Sequence, residues 1–394
     1  MNGNRDIPFI FFIKFSQIFC NSNIFYVIMY FMEMLKKRKK FTRIRKLYIL
    51  VLSTLLVYAL ANIPEIAEYA FARGITRGLS ALIGQLTNPI PVSFYEWTAV
   101  LLIAGGIAFI AALVVFLCKK KFARAVTLIY RVCIAVLALV MAFGVLYAPL
   151  YNRNSVFSAL GLSDDAVSEE QIYEAAEFFV EELNTTSLRL ERDESGNVIM
   201  PYSFSRLATL INDEFDALDG NYFARRRVTP KRVVLSVPMS YLGITGIYFP
   251  FYAESNVNAI IPSYEYANTM AHEIAHAKGV SRENEANIVS YVICIRSEDD
   301  YMRYSGLMRA VANLLNALSY DQYTILKSRL NPEILTEYGN ANAHYAKYEG
   351  FLDSISAFFN DLFLKSNGIS SGTKNYGETT RGLVSLYDRL KESI

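Results

Sequence analysis

Three long apolar runs decide most of what this chain can fold into. They read LYILVLSTLLVYALANI at 47–63, WTAVLLIAGGIAFIAALVVFLC at 97–118 and VTLIYRVCIAVLALVMAFGVLYAPL at 126–150. Each is close to the ~20 apolar residues that a helix needs to cross a hydrocarbon core. A bilayer in turn selects the helix, because every backbone N–H and C=O must find its partner inside the segment. The first run follows KKRKKFTRIRK (36–46), and the loop between the second and third is KKKFAR (119–124). Basic loops stay on the cytoplasmic side, so the stretch 64–96 and everything after about residue 150 are expected outside. Trp97 and Tyr147 stand at the outer ends of the second and third runs, where aromatic rings suit the membrane interface. The expected location is the cell membrane, multi-pass, with the lipid bilayer as a partner. A content of 53% hydrophobic and 14% aromatic residues exceeds that of ordinary soluble domains.

Residues 1–33 do not fit this pattern cleanly. FIFFIKFSQIFCNSNIFYVIMYF is apolar, but Lys14, Gln17, Asn21 and Asn23 oppose insertion. The layout MLKKRKK followed by an apolar run makes Met34 the expected start, with 1–33 an extension. The alternative, a signal peptide over 34–61 ending in Ala59-Leu60-Ala61, suits the pattern less well because the apolar run continues to Ile63. The loop 64–96 carries Ile66, Tyr69, Ala70, Ile75, Leu79 and Leu82 at helical spacing. That pattern predicts an amphipathic helix on the outer membrane surface.

After Pro149 the composition turns polar, and the remaining roughly 240 residues are ample for one domain with its own core. SEEQIYEAAEFFVEELN (168–184) opens with a Ser-x-x-Gln capping box and an amphipathic face. FSRLATLINDEFDALDG (204–220) predicts a second helix stopped by Gly220. RVVLSVP (232–238) and NVNAIIP (256–262) read as strands. The region 297–394 looks helical, broken at Asn331-Pro332 and around 366–375. The expected fold class is α+β and mostly helical. Transmembrane helices in a membrane domain over 34–150 precede an extracytoplasmic zincin-like domain over 151–394 with a small sheet. A net charge of +2 spread along the chain offers no concentrated basic surface, so a nucleic-acid partner is not expected. Cys20, Cys118 and Cys133 fall in or beside apolar runs, leaving Cys294 alone. Neither a disulfide framework nor a cysteine zinc cluster is available to the polar part.

The chemistry concentrates in HEIAHAKGVSRENEAN (272–287), which holds two of the three histidines. On a helix His272 and His276 lie one turn apart on one side, so both imidazoles can reach one ion. Glu273 is rotated about 100° from His272, the general-base position of an HExxH metallopeptidase. Zn2+ is the expected cofactor. The segment before it lacks Pro and Gly, and Gly279 supplies a stop. Arg282 excludes the HExxHxxGxxH pattern, so the third ligand must come from the following helix, where Glu283 and Glu285 stand. They point about 200° apart, so only one can face the metal. Glu285 is favoured, because Ala286, Val289 and Val292 continue an apolar face beside it while Glu283 is explained by the helix dipole. Candidates for stabilising a developing oxyanion are His344 in NANAHYAKYEG and Tyr376 in SGTKNYGETT. The strand ESNVNAIIP ends ten residues before His272 and is expected to act as an edge that holds an extended peptide.

The blocks GITGIYFPFYAESNVNAIIP, HEIAHAKG, ENEAN, RYSG and NDLFLKSNG…NYG resemble a family of bacterial polytopic membrane proteins of unknown function that carry an HExxH motif. The resemblance runs from about Met34 to the end. It implies a gluzincin-like zinc metallopeptidase whose EAN glutamate, Glu285 here, is the third ligand. PFYAESN departs from the family pattern, which tends to have Gly before the Glu, and this puts a tight turn at Ala253 in question. The expected activity is hydrolysis of peptide or protein substrates, cell-wall peptide among them. The alternative is a sensor or scaffold braced by zinc. An intramembrane protease is excluded, because Glu265, Lys278 and Arg282 flank the HEIAH helix and leave it too short and polar to span.

Overall fold

The computed structural model describes residues 38–392 apart from 219, 351–353, 355 and 357–375. The expectations for 1–33, the Met34 start and the break around 366–375 lie outside the described residues. The chain divides into two compact units. Among the described residues, one takes in 38–57 and Ala99–Ala142, the other Tyr58–Thr98 and those from Phe143 on.

In chain order the first elements are α1 (Arg38–Ala61), a π-helical stretch (Ile66–Ile75), α2 (Thr76–Thr87), α3 (Phe94–Cys118) and α4 (Phe122–Leu146). Among the described residues, three helical segments are long and apolar enough to cross a membrane: Ile44–Ala61, Phe94–Cys118 and Phe122–Leu146. Their apolar side chains, such as Leu101, Ile103, Ile107 and Ile110, are exposed along the helix. The third span stops earlier than its hydropathy predicts. Pro149 lacks an N–H and breaks the ladder, and Ala148–Asn152 turns into a 3-10 helix. Tyr147 is therefore no interfacial ring. It is 7% exposed and packs in the second unit with Ala72, Leu150 and Tyr151.

In the second unit the π-helical stretch and α2 bury a small and polar face: Glu68, Ala72, Thr76, Ser80, Gly84 and Thr87. The Ser80 hydroxyl meets Tyr248 Oη at 3.3 Å, and Thr87 donates to the Tyr252 carbonyl. Tyr69, Ile75, Leu82 and Leu86 point outward. Next come α5 (Val156–Leu160), α6 (Glu169–Ser187), α7 (Phe204–Asp216), β1 (Lys231–Val233), α8 (Ser236–Tyr241), β2 (Gly246–Phe249) and β3 (Glu254–Asn258). The capping box at Ser168 and Gln171 is formed. The strand expected over 232–238 ends at Val233. Ser236 folds its hydroxyl back onto the Val233 carbonyl, and Pro238 sits in the first turn of α8, where its missing N–H costs nothing. Helix α7 stops at Asp216, short of Gly220. The remainder is α9 (Tyr266–Ala277), α10 (Glu283–Ile295), α11 (Asp300–Asn316), α12 (Tyr320–Ser328), α13 (Pro332–Ala346) and α14 (Tyr376–Glu392). Asn331-Pro332 opens α13, with Pro in the first turn.

The sheet order is β1-β3-β2, with β1 parallel and β2 antiparallel to β3. β3 is therefore the central strand with every residue buried, not the expected edge. Its polar residues are satisfied internally. Asn258 donates to Ser240 Oγ and the Ile244 carbonyl, and Glu254 pairs with Lys231 at 2.7 Å while accepting from the Phe94 and Tyr95 amides. Those two amides open α3, so Glu254 also meets unpaired N–H groups at a helix start. The edge strands are β1 and β2. The turn before β3 forms without glycine: Ala253 adopts the left-handed conformation, φ 49°. The main core joins α6, α10 and α11 around Phe179, Leu183, Ile288, Met302 and Leu307.

Candidate metal centre

Helix α9 delivers His272, Glu273 and His276, and the chain then reverses at Gly279, φ +106°. Only glycine enters this region without strain, and Arg153 Nη1 fixes the turn by donating to the Gly279 carbonyl at 2.8 Å. The reversal lays α10 beside α9 and brings Glu283 to the histidines. His276 Nε2 lies 3.0 Å from His272 Nε2, His272 Nε2 lies 3.2 Å from Glu283 Oε2, and His276 Nε2 lies 3.5 Å from Glu283 Oε1. Together these three residues could hold a metal ion. His276 Nδ1 faces the Val280 carbonyl at 2.7 Å. That partner holds a proton on Nδ1, so that in the neutral ring the Nε2 lone pair is the one turned toward the cluster. The Tyr147 hydroxyl stands 3.1 Å from the same Nδ1.

Glu285, the favoured third ligand, is placed elsewhere. It is 2% exposed and accepts hydrogen bonds from Arg282 Nη1 at 2.8 Å and the Val156 amide at 3.2 Å. Arg282 also donates to the Tyr151 and Arg153 carbonyls. Glu285 thus faces the 151–156 segment, while two positions of helical rotation turn Glu283 toward α9. The carboxylate that stands beside both histidines is that of Glu283.

Glu273 is 4% exposed, and its Oε2 has no hydrogen-bond partner among the described residues. It lies directly against β2. A Cβ on Gly246 would sit 2.5 Å from Glu273 Oε1 and 2.7 Å from its Cγ, so only glycine admits the carboxyl there. Burial pushes Glu273 up to about 8, with His276 pulling the other way and Glu283 adding to the rise. At His272 burial wins over Glu283 and lowers the imidazole below its usual value. At His276 burial is outweighed by Glu283, Glu273 and the Val280 carbonyl, which raise it to about 9. Glu283 is held well below the usual carboxylate range: burial opposes its charge, but both imidazoles favour it.

These groups line a cavity of about 700 Å³ with Tyr147, Tyr248, Asn287 and Arg309, and residues 242–251, including all of β2, form one wall. The volume falls within the usual range for ligand sites. His344 is not part of this wall. Its ring packs against Tyr345 of α13 and Tyr348 just beyond it, and the neighbouring Tyr345 spends its hydroxyl on Glu265. Tyr376 opens α14, and its side chain lies outside the described residues. Gly246, Tyr147, Arg309 and the Val280 carbonyl were not singled out for the site by sequence reasoning. Of these only Gly246 carried a signal, a glycine in GITGIYF just ahead of an extended segment.

The profile of a family described as Protein of unknown function (DUF3810) matches residues 71–384. The chain belongs to this family. The DUF3810 match includes His272, Glu273, His276, Glu283, Gly246 and Arg309, and begins beyond α1. No curated protein and no solved structure matches the chain.

Proposed function

We propose that this DUF3810 protein is a membrane-anchored, zinc-dependent metallopeptidase, gluzincin-like in its ligand set and facing the outside of the cytoplasmic membrane. The observation that carries the reading is the convergence of His272, His276 and Glu283 beside a buried carboxyl, Glu273, that has an unspent oxygen. Donor atoms about 2.0–2.1 Å from a tetrahedral zinc are separated by about 3.3 Å. The separations of 3.0, 3.2 and 3.5 Å fit that geometry. A site that merely braces a fold has no use for Glu273.

Bound zinc would supply an electrophile for a peptide carbonyl and acidify a water. The chain's own groups do the rest. Glu273, held against Gly246, takes a proton from the attacking water and passes it to the departing amine as the C–O bond forms and the C–N bond breaks. The Val280 carbonyl keeps His276 in one tautomer. The open edge of β2 holds an extended substrate by backbone hydrogen bonds along the cavity wall. The outward apolar residues of the π-helical stretch and α2 lie on the lipid surface.

Glu273→Gln, purified as the full chain in lipid nanodiscs, is expected to retain wild-type zinc content and lose about 10²–10⁴-fold in peptide hydrolysis. Undiminished hydrolysis by this variant would remove the mechanism.

A further inference from the structure

Arg309 is the only Lys or Arg among the described residues that line the cavity. It projects from α11, whose neighbouring residues Met308 and Ala310 are fully buried, yet its own side chain is 47% exposed. Its counterion is Glu265, with Arg309 Nη1 3.9 Å from Glu265 Oε1. That distance is too long for a hydrogen bond. Glu265 instead accepts the Tyr345 hydroxyl on its other oxygen at 2.6 Å, and its Oε1 has no hydrogen-bond partner among the described residues. Glu265 therefore balances the Arg309 charge without occupying the guanidinium's donors. No N–H of Arg309 is spent on a described residue. Asn287 stands one turn after Glu283 on α10, so it shares the face that Glu283 presents to the histidines. Its side-chain amide likewise has no partner among the described residues, and it lines the same cavity.

A guanidinium with a free planar fork, lining the same cavity as a free amide, matches a carboxylate better than any neutral group. We propose that Arg309 and Asn287 form a carboxylate-binding subsite, so that the peptide bound in this cavity carries an anionic group close to the scissile bond. This assignment rests on the metallopeptidase reading for its substrate class. The carboxylate is either the chain's C-terminal α-carboxylate or an acidic side chain.

The test uses the full chain in nanodiscs and three probes: acetyl-Ala-Ala, acetyl-Ala-Ala-amide and acetyl-Ala-Asp-amide. Binding is read by calorimetry on metal-free protein, and hydrolysis of matched longer peptides is read on zinc-loaded protein. At least one carboxylate probe is expected to bind about tenfold tighter than the neutral amide, in keeping with a charge-assisted hydrogen bond. The stronger of the two identifies the source. Arg309→Gln is expected to abolish the preference and Arg309→Lys to keep part of it. Asn287→Ala is expected to reduce it several-fold and serves as the reading if the arginine variants do not fold. Equal binding of all three probes by the wild type, or a preference that survives Arg309→Gln, overturns the subsite. If the preference depends on Arg309 but no peptide is cut, the subsite stands and the peptidase reading falls. If neutral and anionic peptides are cut at equal rates, the peptidase reading stands and the subsite falls.

Discussion

Glu273 and Gly246 pack against each other in the site. The carboxyl occupies the space that any other side chain at 246 would fill. Gly246→Ala is expected to displace Glu273 while leaving His272, His276 and Glu283 in place. A misplacement of about 1 Å costs on the order of 10²-fold in rate, and overpacking costs roughly 1–3 kcal/mol of stability. Hydrolysis assays alongside zinc content check this, since zinc binding is expected to persist. At the same scale Glu283 and Glu285 show how two carboxylates separated by one residue acquire different roles. Glu283 meets both imidazoles, whereas Glu285 is buried under Arg282 and the α5 N-terminus.

Among the elements, the π-helical stretch is tied to the domain through Glu68. This carboxylate is 1% exposed and pairs with Arg73 at 2.6 Å and with Arg153 at 3.1 Å, while Asn154 donates its amide. Burial alone would raise its pKa, but the hydrogen bonds from Arg153 and Arg73 lower it to about 2. A depressed carboxylate contributes stability above its ordinary value near 4.5 and loses that contribution as pH falls toward 2. The melting temperature of the wild type is therefore expected to drop across that window, with the fall reduced in Glu68→Gln. Thermal unfolding in detergent between pH 2 and 6 measures it. Arg153 also holds the Gly279 turn, so this pair supports the corner that joins α9 to α10.

The elements that were legible in the sequence are those whose signal is local. The capping box of α6, the i, i+4 histidines of α9 and the three apolar runs needed no tertiary context. What failed was set by tertiary contacts. The choice between Glu283 and Glu285 depended on which side of α10 faces α9. The status of β3 depended on β1 pairing with it from a distant segment. Tyr147 read as an interfacial ring because its partner, His276, is 129 residues away.

For the molecule as a whole, the placement of the basic loops predicts its orientation. In a chain with Cys118 changed to Ser, Ser195→Cys lies in an exposed turn of the second unit. It is expected to react with a membrane-impermeant maleimide on intact cells. Lys120→Cys, between α3 and α4, is expected to react only after permeabilisation. Labelling in the reverse order would place the site in the cytoplasm. Whether His272, His276 and Glu283 hold a zinc ion is tested most directly by measuring zinc per chain. One zinc is expected in the wild type, with loss in His272→Ala and in Glu283→Gln and retention in Glu285→Gln. A wild type without zinc, or loss with Glu285→Gln but not with Glu283→Gln, would contradict that ligand set.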